Sequence, residues 1–149
     1  MKAMAATELE FYLFHHSFEE AHASGYRGME PISPYNEDYH IFQTSKEEEV
    51  MRAVRTGLNG AGIPVENSKG EAWAGQEEIN IRYADVLTMA DRHSIVKNGI
   101  KEIAFSKGHA VTFMAKYDYV AAGSSSHIHQ SLWSTKGKPL FHDPKAGST

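Results

Sequence analysis

Glu8 and Glu10 stand two residues apart in a stretch, residues 7–14 (TELEFYLF), that alternates as a β-strand does. That spacing puts their β-carbons roughly 6 to 7 Å apart on one side of a strand, beside Tyr12. Thr7, Leu9, Phe11 and Leu13 take the other side. Neighbouring carboxylates repel, so on a buried face something cationic must offset them, and hard divalent ions such as Mg2+ or Mn2+ do so. On a solvated face the pair needs no ion, and from these two residues alone that is the simpler reading. Glu71 and Glu78 flank the Gly75-Gln76 turn, and Glu66 adds a carboxylate five residues before Glu71. Each of these, taken singly, also reads as surface. His127-Ile128-His129 is a sharper signal. Alternation aims both imidazoles to one side of a strand that follows the small-residue loop Gly123-Ser124-Ser125-Ser126, and imidazole is the commonest protein metal ligand. His15, His16, His22 and His142 carry no spacing signal.

The elements that must position these groups follow from periodicity. Residues 75–83 (GQEEINIRY) alternate, with Gln76, Glu78, Asn80 and Arg82 on one face and Glu77, Ile79, Ile81 and Tyr83 on the other. Residues 15–40 are broken by Gly25, Gly28, Pro31 and Pro34 and read as a long excursion with local turns. Ser45 and Glu48 have capping-box spacing for a helix through Val50, Met51, Val54 and Leu58, ended by Gly60, Gly62 and Pro64. Residues 63–66 read as a short strand and 67–70 as a turn. Asp85 suits the N-cap of a second helix running to about Lys107, with the apolar stripe Met89, Val96, Ile100, Ile103 and Ala104 and a left-handed stop at Gly108. Residues 110–114 and 126–133 complete the strands, with His127, His129, Ser131 and Trp133 pointing one way, and 136–139 form a turn. Strands polar on one face and apolar on the other predict an α+β fold: an antiparallel sheet with a polar active-site face and helices packed behind it.

Composition narrows the chemistry. The chain has 149 residues, the size of one ordinary domain. Fifteen Lys and Arg against nineteen Asp and Glu give a net charge of -4, which argues against nucleic acid as a partner, since phosphate neutralisation needs clustered cations. No apolar run approaches the roughly 18 to 20 residues that span a bilayer, so no membrane partner is expected. The start does not read as a signal peptide, and the expected compartment is the cytoplasm. Without cysteine there is no thiolate metal site or cysteine nucleophile. No Gly-rich loop ends in Lys-Ser/Thr, and no nucleophile elbow surrounds a serine, so any nucleotide is held by metal and sheet rather than a P-loop.

Taken in order, the segments resemble the catalytic domain of the glutamine synthetase family. They are Glu8-Leu9-Glu10-Phe11, Val65-Glu66 through Glu71, Gly75-Gln76-Glu77-Glu78, Arg82-Tyr83-Ala84-Asp85 with its helix, Thr112-Phe113-Met114-Ala115-Lys116, and Gly123 through His127-Ile128-His129-Gln130-Ser131-Leu132. The resemblance implies two Mg2+ or Mn2+ ions. Glu10, Glu71 and Glu78 match the ligands of the ion nearer the amino-acid substrate, and Glu8 and His127 match two of three ligands of the ion on the nucleotide phosphates. Glu66, His129 and Ser131 match positions contacting ATP, and Gly123 a backbone position beside glutamate. The implied reaction is ATP-dependent amide formation on the γ-carboxylate of glutamate, through γ-glutamyl phosphate, with ammonia or an amine as acceptor.

Two features depart from the family pattern. Ala122 stands where the family's usual asparagine precedes the glycine loop, and Lys116-Tyr117 stands for its Lys-Pro. The resulting Gly-Ser-Ser-Ser-His-Ile-His form is similar to relatives that join glutamate to larger amines such as polyamines. Family members are also about three times longer. Residues 1–149 are therefore expected to be a partial catalytic domain, inactive alone, whose parent forms homo-oligomeric rings. The small N-terminal domain, the flap, the third nucleotide-side ligand and the phosphate-binding arginines are expected to lie outside it. A relative that holds metal or nucleotide without catalysis is the alternative.

Overall fold

The computed structural model describes residues 1–143, 145 and 146; the rest of the expected 1–149 domain span lies outside the described residues. In chain order the elements are β1 (Lys2–Phe14), α1 (Phe18–Ala23), α2 (Ile41–Thr44), a 3-10 turn (Ser45–Glu47), α3 (Glu48–Gly60), β2 (Val65–Gly70), β3 (Gln76–Ile81), β4 (Ala84–Asp85), α4 (Val86–Ser106), β5 (Ala110–Thr112) and β6 (Ser126–Trp133). All strand pairings are antiparallel, and β1 is the axis of the sheet. Its two edges are defined by residues paired on both sides: Met4 faces Ser131 and Asp85, Glu8 faces His127 and Asn80, and Tyr12 faces Thr112 and Gln76. β6 and β5 thus lie along one edge, β4 and β3 along the other, and β2 extends the sheet beyond β3.

The apolar face of this sheet makes the core. Leu9, Phe11 and Leu13 of β1 and Ile79 and Ile81 of β3 pack against Val50, Met51, Val54 and Leu58 of α3 and Met89, Val96, Ile100 and Ala104 of α4. These are the helical stripes that 3.6-residue periodicity selects. Asp85 caps α4 as expected, its carboxylate accepting the Thr88 N–H at 3.1 Å, and Gly108 follows the helix at φ 80°. The fold is α+β, an antiparallel sheet backed by helices. Among the described residues no helix is long and apolar enough to cross a membrane.

Four expectations change. β1 starts five residues before the alternating stretch, because β6 and β4 pair with its Ala-rich beginning and supply the ladder that pattern alone does not announce. The 15–40 excursion holds α1, started by a capping box in which the Ser17 hydroxyl accepts the Glu20 N–H at 3.1 Å and the Glu20 carboxylate accepts the Ser17 N–H at 2.8 Å. The Ser45–Glu48 pair is not a cap. α2 already runs into residue 45, which is helical, so its hydroxyl turns back to the Ile41 carbonyl while Glu48 pairs with Arg52 and Arg55. Residues 67–70 are strand rather than turn, since they pair with Asn80 through Glu77, and the reversal falls at 71–75.

Alternation of β3 has a further consequence behind the sheet. Glu77 points to the helix side and meets Glu37 and Glu47, ligand oxygens of the three lying within 4.8 Å of one another in near-complete burial. Glu37 accepts hydrogen bonds from the Ser33 hydroxyl and from the Gly75 N–H at 2.5 Å, but Oε2 of Glu37, both oxygens of Glu47 and Oε1 of Glu77 meet no donor. Shared protons fill that gap. Burial, then hydrogen bonding to the Glu47 carboxyl, pushes Glu37 up to about 8, and the same two causes push Glu77 well above the carboxylate range.

The folded chain therefore holds a Glu37 proton that the unfolded chain releases near its ordinary 4.5. Stability from this group is fully present below that value and is lost as pH rises through about 8. Glu37→Gln keeps an acceptor for Gly75 and places a fixed N–H toward Glu47, so its urea midpoint should fall less than the parent's between about pH 5 and pH 8. An equal or steeper fall in the variant refutes the shared-proton assignment.

Candidate metal-binding active site

The polar face of the sheet collects the carboxylates that sequence spacing left ambiguous. Cross-strand register sets Glu10 opposite Glu78 and Glu8 opposite His127. Glu71 arrives from the 71–75 loop, closed by a hydrogen bond from its N–H to the Gln76 carbonyl at 2.7 Å. Glu10, Glu71 and Glu78 then offer oxygens that lie within 4.8 Å of one another, and Glu8, Glu78 and His127 form a second such group. Glu78 belongs to both, so the two positions are adjacent.

Charge at this face is strongly unbalanced. Burial raises the Glu78 carboxyl above its ordinary range; the Asn80 amide, donating at 2.8 Å, pulls it down, but the charges of Glu71 and Glu8 add to the rise. Glu8 behaves oppositely. Burial raises it, yet hydrogen bonds to His129 Nε2 at 2.7 Å and His127 Nδ1 at 2.9 Å, together with their charges, hold it below the usual range. Lys69 Nζ lies 2.5 Å from Glu71 and 3.2 Å from Asp38, and is the one ammonium bound to this acidic set among the described residues. Hard oxygens converging with an imidazole at their edge, and a central carboxyl raised by its neighbours, make a donor set suited to Mg2+ or Mn2+.

Gln76 and Tyr12 order the site, and sequence reasoning gave neither a role. The Gln76 Nε2 donates to Glu10 Oε2 at 3.1 Å and to the Gly123 carbonyl at 3.0 Å, while the Ser125 N–H donates to the same Glu10 oxygen at 2.9 Å. The Tyr12 hydroxyl donates to the Ala122 carbonyl at 2.7 Å and its ring packs on Tyr117, centroids 4.4 Å apart. Gln76 and Tyr12 are both fully buried on the polar face. A buried amide two residues before Glu78 on the same strand face was the available signal, and so was a tyrosine two residues after Glu10.

The remaining sequence candidates lie around this centre. Gly123 is placed by Gln76 at the mouth of the 121–126 loop. His129 and Ser131 line a shallow cavity of about 140 Å³ with Met4 and Tyr83, adjoining Glu8, and Ser131 accepts the Trp133 indole N–H at 2.9 Å. Glu66 is exposed in a β-bulge of β2, between Val65 and Asn67, and is not part of either carboxylate group.

Comparison with known proteins identifies the family. The family model for the glutamine synthetase catalytic domain matches residues 1–149. The chain is 43% identical over 136 residues to a gamma-glutamylethanolamide synthetase, GlnA4, of Streptomyces coelicolor, covering 91% of this chain and 29% of that protein. It is 41% identical over 144 residues to a glutamate–isopropylamine ligase of a Pseudomonas species, covering 97% and 31%. Among solved structures, a GmaS/ADP complex superposes with a TM-score of 0.82 at 26% identity, covering 99% of this chain and 33% of that one. The chain thus spans about a third of the length of the relatives it matches. By a match that runs from its first residue to its last, over the very segments that build the carboxylate face, the chain belongs to the glutamine synthetase family and lies in its catalytic domain.

Proposed function

We propose that these residues form the metal-holding face of an ATP-dependent ligase that joins the γ-carboxylate of glutamate to an amine. The single observation that carries this reading is the convergence of Glu10, Glu71 and Glu78 on one point, with Glu8 and His127 beside it. Glu10, Glu71 and Glu78 hold the ion nearer glutamate, and Glu8 and His127 contribute to the one on the nucleotide phosphates. When bound, such ions neutralise the approaching carboxylate and phosphoryl oxygens.

The chain's own groups supply the rest. His129 fixes one oxygen of Glu8 and His127 the other, so that Glu8 presents in a defined orientation. Gln76 orients Glu10 and tethers the loop where Gly123 borders the glutamate site. His129 and Ser131 border the shallow cavity beside Glu8 and are suited to contact ATP there, and Glu66 is assigned an ATP contact from the exposed bulge of β2. γ-Glutamyl phosphate, formed from ATP and glutamate, is then attacked by the amine nitrogen, which forms the amide bond and expels phosphate. The parent protein forms a homo-oligomeric ring and works in the cytoplasm.

An amine larger than ammonia is the proposed acceptor. Ala122 carries no amide where the family's asparagine would reach toward the amino-acid substrate, and two similar proteins are named for ethanolamide synthesis and isopropylamine ligation.

Titration calorimetry with Mn2+ tests the site in this chain. Glu78→Ala should weaken binding at least tenfold, since Glu78 serves both groups, and Gln76→Ala should weaken it less, because it removes an orienting bond rather than a ligand. Equal affinities for the parent and Glu78→Ala overturn the assignment. For the enzyme that carries these residues, phosphate release with ammonia, ethanolamine, putrescine and spermidine should favour one of the larger amines. A preference for ammonia above tenfold in kcat/KM, about 1.4 kcal/mol of discrimination, overturns the acceptor assignment.

A further inference from the structure

Glu71 is the one member of its carboxylate group that comes from a loop rather than from β1 or β3. Its position depends on what holds residues 70–75. The two ends of that loop are glycines with no room for a side chain. A β-carbon on Gly70 would lie 2.6 Å from the Glu37 β-carbon, 2.8 Å from its carbonyl oxygen and 2.5 Å from Thr44 Cγ2. One on Gly75, at φ 68°, would lie 2.9 Å from the Leu13 carbonyl oxygen and 2.9 Å from Pro31 Cβ.

Glu37 touches both ends. Its backbone packs on Gly70, and its carboxyl accepts the Gly75 N–H at 2.5 Å, with the Ser33 hydroxyl bonded to the same oxygen and itself 3.0 Å from that N–H. Asp38, the next residue, binds Lys69, which in turn binds Glu71. The segment 31–38 that carries Glu37 is anchored in its turn, since the Ile32 N–H donates to the Leu13 carbonyl and the Leu13 N–H to the Gly75 carbonyl. All of this lies behind the sheet or at its edge, so Glu37 itself is not a ligand of the front site.

We propose that Glu37 is a positioning residue for Glu71: from the far face of the sheet it clamps both ends of the 70–75 loop and so sets where the Glu71 carboxylate meets Glu10 and Glu78. The proposal rests on the metal-site reading above. Outer partners that fix a metal-ligating side chain commonly carry 10- to 100-fold in metal affinity, and a loop-borne ligand has more freedom to lose than one on a paired strand.

The test separates the clamp from the metal site. In the metal-free chain, residue-resolved amide hydrogen exchange should speed up at Glu71 and Gly75 in Glu37→Ala and stay near the parent rate in Glu37→Gln, which retains an acceptor oxygen. In Mn2+ titrations Glu37→Ala should bind about tenfold more weakly, with Glu37→Gln within about threefold of the parent. Because Glu37 acts through Glu71, adding Glu37→Ala to a Glu71→Ala chain should cost almost nothing more, a coupling that general loosening does not give. Leu58→Ala, which destabilises the core remote from the loop, serves as the control and should keep the parent's Mn2+ affinity. Unchanged exchange at Glu71 in Glu37→Ala, or an undiminished further loss in the Glu71→Ala background, overturns the clamp. If neither the parent nor any variant binds Mn2+, the metal-site reading fails, while the exchange rates still decide whether Glu37 holds the loop.

Discussion

Glu10 and Glu78 face one another across neighbouring strands, an arrangement that like charges resist. Nothing about the two side chains brings them together; the backbone ladder does, and the ladder is held by what lies beneath it. β1 is paired along both edges, and its alternate residues Leu9, Phe11 and Leu13 are locked under α3 and α4. Burial of side chains this size is worth roughly 1.5–3 kcal/mol each, enough in sum to carry several unfavourable contacts on the opposite face. The acidic face is therefore imposed by the core. A flexible scaffold would let these carboxylates spread into water, and the site would exist only when an ion gathered it.

The same strand solves the problem of buried acids in two ways. β3 turns Glu77 backward and Glu78 forward, so consecutive glutamates occupy opposite environments. Behind the sheet, Glu77 meets two further carboxyls, and the Ser33 hydroxyl and the Gly75 N–H both donate to Glu37. Burial among neighbouring carboxyls raises Glu37 and Glu77 and so favours their protonated forms. In front, Asn80, Gln76, His127, His129, Lys69 and the Ser125 N–H surround the carboxylates, and the face is open enough to admit an ion. Two groups of three carboxylates and one with histidine thus differ less in composition than in their access to solvent and donors.

Residue patterns made the front face legible and the back face invisible. Alternation in 7–14, 75–83 and 126–133 assigned Glu8, Glu10, Glu78, His127 and His129 to single faces, and the register of β1 with β3 and β6 bears out that they share one surface. The two long helices were equally plain, because their stripes recur at the helical period and Asp85 and Gly108 mark the ends of the longer one. Alternation also assigned Glu77 to the side of Ile79 and Ile81, but a lone glutamate on an apolar face announces no partner. Its partners come from residues 33–47, whose single proline and short helical turns have no period to read, and whose packing against Gly70 and Gly75 is a tertiary fact. The Ser45–Glu48 misreading has the same origin. A capping pattern is local, and the preceding turn of α2 overrode it.

The 121–126 loop is held largely through its backbone. Three successive anchors hold it: the Tyr12 hydroxyl on the Ala122 carbonyl, the Gln76 amide on the Gly123 carbonyl, and the Ser125 N–H on the Glu10 carboxylate. Each uses the loop's backbone, while the side chains that do the holding belong to β1 and β3. The residue at 122 is consequently relieved of any structural duty, since its carbonyl is what Tyr12 grips and every residue has one. Anchoring by backbone thus leaves the path of the loop independent of the side chain at 122.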